Sequence, residues 1–372
     1  MSELYRRSPY IVCYWRGRQF VFESYATRNR VAAAPITCDI LHFFHRWRSA
    51  GSLSQQFPHF SDVSLARALA TLIRFGFLDR SGASPNLKTK ALATWKTWSP
   101  AGSYFHQSTK DSHVPIEPED SVRLLRRRAR TKPMPAPIKR YPKSRQISLR
   151  SPRKIGEFAR VLLERRTWRQ FSERPLELDN LGTLLGLTFG VQSWLNLKGI
   201  GQVALKTSPS GGARHPIEAY VMALRVKGLN RGLYHYNAGN HRLELLHVGA
   251  TAARASSYLN GQWWFGGAAA LVLMTAVFAR PQWKYPASRA YRIVLIDAGH
   301  LCQTFCLAAT WLGLAPFCTM ALADSTIESD LKIDGVTESI IYVAGVGMRP
   351  KGTDSAHWPS RPYGRQTSNH FL

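Results

Sequence analysis

Arg165, Arg166, Thr167 and Arg169 place three guanidinium groups and a hydroxyl within five residues. Guanidinium is a rigid fork of donors matched to phosphate oxygens, so this run can hold a phosphate. The same residues also suit an exposed basic helix end, where cations meet the negative pole of the helix. A second cluster is the loop Ser208-Pro209-Ser210-Gly211-Gly212-Ala213-Arg214-His215-Pro216. Its two glycines let backbone approach a flat ligand and tolerate positive φ, although an ordinary tight turn uses the same residue types. A third, Gly345-Val346-Gly347-Met348-Arg349-Pro350, reads as a glycine-rich exit from the last strand. In a fourth, Lys284 adjoins Tyr285. Lysine loses its proton readily when desolvated and tyrosine can shuttle one, so the pair can act as base and acid. The alternative has Lys284 solvated and Tyr285 packed.

The elements that must position these residues follow from periodicity. Tyr10–Trp15 and Gln19–Glu23 flank a breaker at Arg16-Gly17 and read as a β-hairpin. Cys38, Leu41, Phe44 and His45 recur at helical spacing, and a helix from Asp62 to Phe75 stops at Gly76, followed by a wing-like Gly76–Asp79. This is the outline of a winged-helix module over residues 1–80. Residues 81–150 read as a basic, Pro-rich arm with one helix embedded at Ser121–Arg130. A second domain is expected over 151–350 and a tail over 351–372. Within that domain the pattern predicts helices at Ile155–Glu164, Asp179–Phe189 (with Asp179 as N-cap) and Ser288–Leu312. Strands are expected at Ala219–Val226, Leu233–Tyr236, Arg242–Leu246, Ala269–Val277 and Ser339–Val346. Irregular mixing of strands and helices indicates an α+β fold.

Composition narrows the function class. The chain of 372 residues is 45% hydrophobic, enough for real cores. It lacks a run of roughly 18 uninterrupted apolar residues, and the polar start Met1–Arg7 leads into no signal peptide core, so a cytoplasmic protein without a membrane span is expected. Five cysteines form no paired zinc set and no disulfide framework, and no metal site is expected. Cys302 and Cys306 share a helix face as packing thiols. The formal charge of +27 is concentrated between Arg123 and Arg169. Such a field attracts phosphates, nucleic acid, anionic membrane or an acidic peptide, and it is also met as a solvated basic linker.

Taken in order, the motifs resemble the FMN-dependent nitroreductase fold, and within it the SagB-type peptide dehydrogenases. The resemblance rests on Arg-Arg-Thr-x-Arg-x-Phe at 165–171, the loop at 208–216, Gly232-Leu233-Tyr234-His235-Tyr236 and Asp297-Ala298-Gly299-His300. The hairpin and winged-helix outline also resemble the front of this family, where such modules look like peptide-binding clamps. The resemblance implies FMN as cofactor. Arg165, Arg166, Thr167 and Arg169 would hold its phosphate and ribityl end. Pro209, Ser210, Gly211 and Gly212 would line the ring across the interface of a homodimer, and Gly347 and Arg349 would match the phosphate side. Lys284 and Tyr285 would be the catalytic base and its partner.

The implied reaction is oxidation of thiazolines or oxazolines in a ribosomally made precursor peptide to azoles, with a cyclodehydratase as a partner and oxygen as final oxidant. The alternative within the same fold is an NAD(P)H-dependent nitro or quinone reductase. A more distant alternative is a DNA-binding ligand sensor, for which Asp62–Phe75 offers Arg67 and Arg74 but little else.

Overall fold

The computed structural model describes residues 3–83, 87–111, 118–132, 136–139, 147, 155–199 and 201–353. The expected domain start at Ser151, the tail beyond Thr353 and much of the basic arm lie outside the described residues. The chain divides into two compact units: the first takes residues 1–110, 282–291 and 333–338, the second 111–281, 292–332 and 339–372.

The first unit opens with strand β1 (Leu4–Arg7), followed by β2 (Ile11–Arg16), β3 (Gln19–Ser24) and β4 (Asn29–Ala32). The expected hairpin forms between β2 and β3, with Arg16 opposite Gln19 and Gly17 turning the chain at φ 59°. Helix α1 (Ile36–Phe43), the short strand β5 (Arg48–Ser49), α2 (Gly51–Gln56), α3 (Asp62–Arg74) and β6 (Leu78–Arg80) follow. Ser61 caps α3 by accepting from the Ser64 amide, and Gly76 leaves the helix at φ 75°. The small sheet runs β5-β1-β6, so its central strand comes from the N-terminus and not from the wing-like segment.

Residues 87–110 are not an arm. They form α4 (Leu87–Leu92) and α5 (Pro100–Ser108), joined by a 3₁₀ turn. Trp95 and Trp98 are each only 2% exposed. Trp95 Nε1 donates to the Val336 carbonyl at 2.9 Å and Trp98 Nε1 to the Tyr285 carbonyl at 3.2 Å. His106 Nε2 faces the Gly335 carbonyl at 3.1 Å, which can only accept, so Nδ1 accepts from the Tyr291 hydroxyl at 2.9 Å. These bonds gather three separate stretches of chain into one unit. The polar, basic composition hid this, because two tryptophans anchor what charge patterning marks as a linker.

The second unit begins with α6 (Pro118–Thr131), which contains the expected embedded helix with its arginines exposed. Next come α7 (Glu157–Glu164), β7 (Leu176–Glu177), α8 (Leu178–Phe189), β8 (Ser193–Leu197), β9 (Gly201–Leu205), β10 (Ile217–Ala223), β11 (Val226–Lys227), β12 (Gly232–Asn237) and β13 (Arg242–Val248). The chain continues through α9 (Ala252–Tyr258), β14 (Ala270–Val277), α10 (Ala279–Lys284), α11 (Tyr291–Trp311), β15 (Leu314–Thr319), α12 (Asp324–Leu331) and β16 (Glu338–Met348), with residues 282–291, from the last turn of α10 into the start of α11, belonging to the first unit. Asp179 lies inside the first turn of α8, and Glu177 occupies the N-cap without a side-chain bond.

A six-stranded sheet, ordered β13-β12-β10-β14-β16-β15, carries the core. β14 is a nearly continuous apolar run, buried along its length apart from Val277, as suits a strand covered on both faces. β15 escapes sequence patterning because Pro316 interrupts it, and proline is tolerated there since β15 is an edge strand. The β8–β9 hairpin escapes because most of its residues are exposed and leave no buried stripe. The stretch Ser288–Trp311 is long and apolar enough to cross a membrane by length and composition, with half of it buried inside the protein. Val294, Ala298, Leu301, Phe305 and Ala309 give α11 its buried face.

Gly345 to Met348 are part of β16 and not an exit loop. Gly345 pairs with Phe317 of β15, and a Cβ on it would lie 2.2 Å from the Phe317 ring. Phe317 stacks in turn on Phe265 at 3.8 Å between centroids. Overpacking of this kind costs about 1–3 kcal/mol. Gly345→Ala is therefore expected to lower stability by about that amount in urea unfolding, and parental stability would contradict the packing described.

Candidate functional site

Helix α11 organises the glycine loop. Ile293, Asp297, His300 and Thr304 follow one another at intervals of four, three and four residues, which places them on one helix face. Each meets the loop. Ser208 Oγ lies 2.7 Å from Thr304 Oγ1, and His300 Nδ1 donates to the Pro209 carbonyl at 3.3 Å. Ser210 Oγ donates to Asp297 at 2.5 Å, and the Gly211 amide donates to the other carboxylate oxygen at 3.4 Å. A Cβ on Gly211 would lie 2.4 Å from the Ile293 side chain. Gly211 is thus required by the helix behind the loop.

Ser210 works in two directions. Its hydroxyl donates to Asp297 and accepts from the His215 amide at 2.9 Å, closing the loop on itself. The turn needs such closure because Gly212, Ala213 and His215 all have positive φ, at 64°, 54° and 42°. Only one of them is glycine, so the remainder store backbone strain. Burial raises the pKa of Asp297, and the bonds from Ser210 and Gly211 oppose that rise.

On the flank of the loop lies a cavity of about 410 Å³ whose charged lining includes Lys206, Arg214, His215, Glu218, His235 and Arg280. His235 bridges two carboxylates, with Nε2 3.2 Å from Glu218 and Nδ1 2.8 Å from Glu244. The Glu218 hydrogen bond, with Glu244 behind it, raises His235 to about 9. Burial alone would raise Glu218, but His235 and Arg280 hold it low. His215 is pushed down to about 4 by burial and by nearby Lys206. A larger cavity of about 710 Å³, lined by α8 with Tyr236 and His241, contains none of the expected cofactor residues.

The arginine segment is held elsewhere, along β15 and β16. Its anchors are the two aromatic residues between and after the cations. The Trp168 amide donates to the Pro316 carbonyl at 2.9 Å, and the Arg349 guanidinium sits 5.4 Å from the Trp168 ring centroid. Phe171 packs against Gly347, where a Cβ would lie 2.7 Å from its ring. The structure thus brings Arg349 against Trp168, in the segment that carries Arg165, Thr167 and Arg169. Gly347 serves that meeting through aromatic packing. Arg349 donates to the Leu314 and Thr310 carbonyls, while Arg166 is exposed and bonds the Leu163 and Arg165 carbonyls. Burial lowers the pKa of both Arg169 and Arg349. The donor chemistry, several guanidinium groups beside a hydroxyl, fits a phosphate.

Lys284 and Tyr285 are placed in the first unit, whereas every expected cofactor residue belongs to the second. Lys284 is exposed in the last turn of α10, with Nζ 5.6 Å from the Tyr285 ring centroid. Tyr285 is half-buried, and its carbonyl receives the Trp98 bond.

One cluster was missed from sequence. Cys318 of β15 joins Cys302 and Cys306 of α11, and all three sulfur atoms lie within 4.8 Å of one another. Hydrogen bonds from Cys302 and Cys306 hold Cys318 well below the ordinary thiol range. The helical spacing of Cys302 and Cys306 marked the pair, but nothing along the chain reveals that an edge strand returns a third thiol to it.

Residues 162–348 match the nitroreductase family, a span that includes all four motifs of the resemblance. The chain is 36% identical over 171 residues to the trifolitoxin-processing protein TfxB of Rhizobium leguminosarum bv. trifolii, covering 44% of this chain and 45% of that protein. It is 31% identical over 179 residues to a nitroreductase-type protein of Methanocaldococcus jannaschii, covering 46% of this chain and 83% of that one. Among solved structures, the Escherichia coli microcin synthetase McbBCD complex with truncated pro-MccB17 contains a similar chain. The match has TM-score 0.47 and 20% identity, over 64% of this chain and 85% of that one.

Two outcomes test this geometry. Ser210→Ala removes both a donor and an acceptor from a strained loop, and a loss of about 1–3 kcal/mol is expected in chemical unfolding. The histidines set a pH window. The contribution of His235 is fully present below its unfolded value of 6.5 and is lost as pH rises through about 9. His215 has the opposite sign: its unfolded form takes a proton first, so stability falls as pH drops from 6.5 through about 4. His235→Gln is expected to flatten the alkaline limb of the stability profile, by on the order of 1–3 kcal/mol, and to leave the acid limb. An unchanged alkaline limb would contradict the bridge.

Proposed function

The chain belongs to the nitroreductase family, and on that premise we propose that it is an FMN-dependent dehydrogenase that oxidises azoline rings in a precursor peptide to azoles. The observation that carries this reading is the Asp297 clamp, which joins the fourth motif to the second across 87 residues and presents the Ser210-Gly211-Gly212 backbone. Identity with a trifolitoxin-processing protein supports a peptide substrate. The chain spans less than half of that protein's length.

In this reading Arg165, Arg166, Arg169 and Arg349 would hold the phosphate of FMN, with Thr167 adding a hydroxyl. Pro209, Ser210, Gly211 and Gly212 would face its ring. When bound, FMN supplies a two-electron acceptor at that ring. The chain's own part is proton transfer and orientation: Lys284 or Tyr285 takes the proton from the α-carbon of the azoline, while its β-carbon gives up a hydride. Loss of one proton and one hydride leaves an aromatic azole, so the atoms and electrons balance.

The first unit would receive the peptide. The exposed face of α3 carries Val63, Ala66 and Ala70 between and beside Arg67 and Arg74, a mixture suited to a peptide more than to base edges. A homodimer is supported by exposed apolar residues of the second unit, including Ile296 of α11 at 55% and Trp194 of β8 at 55%. A cyclodehydratase partner belongs to the same reading. The second reading, an NAD(P)H-dependent nitro or quinone reductase, draws support from the 83% coverage of the archaeal relative.

The test uses purified protein carrying its flavin. Azoline peptide is expected to be oxidised by the parent and at least 100-fold more slowly by Lys284→Ala and Tyr285→Phe that retain FMN, consistent with the usual worth of a general base. Full oxidation by both variants would remove their assigned roles. Rapid flavin reduction by NAD(P)H without azoline turnover would select the reductase.

A further inference from the structure

Cys302 and Cys306 lie one helical turn apart on α11, both buried, and Cys318 approaches them from β15. The three sulfur atoms lie within 4.8 Å of one another. A fourth polar atom is present: the Tyr342 hydroxyl of β16 lies 3.3 Å from Cys318 Sγ and also interacts with Cys302. A tetrahedral zinc centre, with Zn–S bonds of about 2.3 Å and a Zn–O bond of about 2.0 Å, spaces its sulfurs about 3.8 Å apart and its oxygen about 3.5 Å from each sulfur. The group therefore matches a zinc coordination shell to within small side-chain movements. From this geometry we infer that Cys302, Cys306, Cys318 and Tyr342 form a structural zinc site of the second unit.

Charge favours zinc over a monovalent soft ion. Three thiolates and a neutral Tyr342 hydroxyl around Zn²⁺ leave one net negative charge, and the Arg165 guanidinium lies close enough to act on Cys306 and Cys318. A monovalent ion would leave two negative charges in a buried setting, which is costly. The sulfur set excludes magnesium and calcium, which take oxygen ligands. Zinc here would tie α11, which clamps the glycine loop, to β15, on which Trp168 of the arginine segment hangs. The inference concerns the frame beneath both clusters and does not depend on which substrate is oxidised.

The experiment uses the full chain with Cys13→Ser and Cys38→Ser, which removes the exposed thiols. Reduced, chelator-treated protein is titrated with Co²⁺ and then Zn²⁺, and difference spectra are taken against the metal-free protein so that any flavin absorption cancels. One equivalent of Co²⁺ is expected to give sulfur-to-cobalt charge-transfer absorption and the intense visible bands of a tetrahedral centre, both displaced by Zn²⁺. Cys318→Ser is expected to lose the one-equivalent binding. Tyr342→Phe keeps the charge-transfer absorption but alters the visible bands. Absence of sulfur-to-cobalt absorption in the background protein, which needs no further variant to fold, overturns the site. Undiminished binding in Cys318→Ser also overturns it, and unchanged visible bands in Tyr342→Phe overturn the fourth ligand.

Discussion

The buried carboxylate of Asp297 is the constraint on which the second unit's glycine loop depends. It sits in the second turn of α11, accepts from Ser210 and Gly211, and so fixes the loop. Burying a carboxylate is expensive unless donors meet it, and here the loop supplies them. The dependence is mutual. The side chains of Asp297 and His300 find their partners in the loop that lies on this helix face, and the positive-φ residues Gly212, Ala213 and His215 are held by that same contact.

The arginine segment is positioned by a different device, aromatic side chains against glycines. Phe171 rests on Gly347 and Phe317 on Gly345, so two residues of β16 lack side chains where two rings need room. Trp168 then places its indole under Arg349. Arg349 is thus fixed against the arginine segment by aromatic packing.

The first unit shows how a fold can recruit distant chain. Trp95, Trp98 and His106 each bond a segment that lies nearly 200 residues or more further on, around Tyr285, Gly335 or Val336. Lys284 and Tyr285 therefore share a unit with the N-terminal hairpin and α3. In the proposed function this gives the proton-transfer pair and the peptide-receiving surface a common frame.

Periodicity and breaker residues determined much of the architecture: the β2–β3 hairpin, α3 with its terminal glycine, α8, α11 and the central strands β10, β12, β14 and β16. The helices and central strands are legible because they bury a regular stripe or an unbroken apolar run, and the hairpin because two β-rich runs flank a turn, signals written in consecutive residues. Motif order likewise determined the family. What the tertiary structure decided are the relations between residues far apart in the chain. Gly345 and Gly347 look like an exit loop until the rings of Phe317 and Phe171 are seen to need their space. Residues 87–110 look like an arm because they lie in a Pro-, Ser- and Lys/Arg-rich stretch whose two tryptophans form no regular apolar stripe. Asp297 and Cys318 carry no local mark of their roles, because a carboxylate acquires a partner, and a thiol acquires neighbours, only when helix and strand have packed.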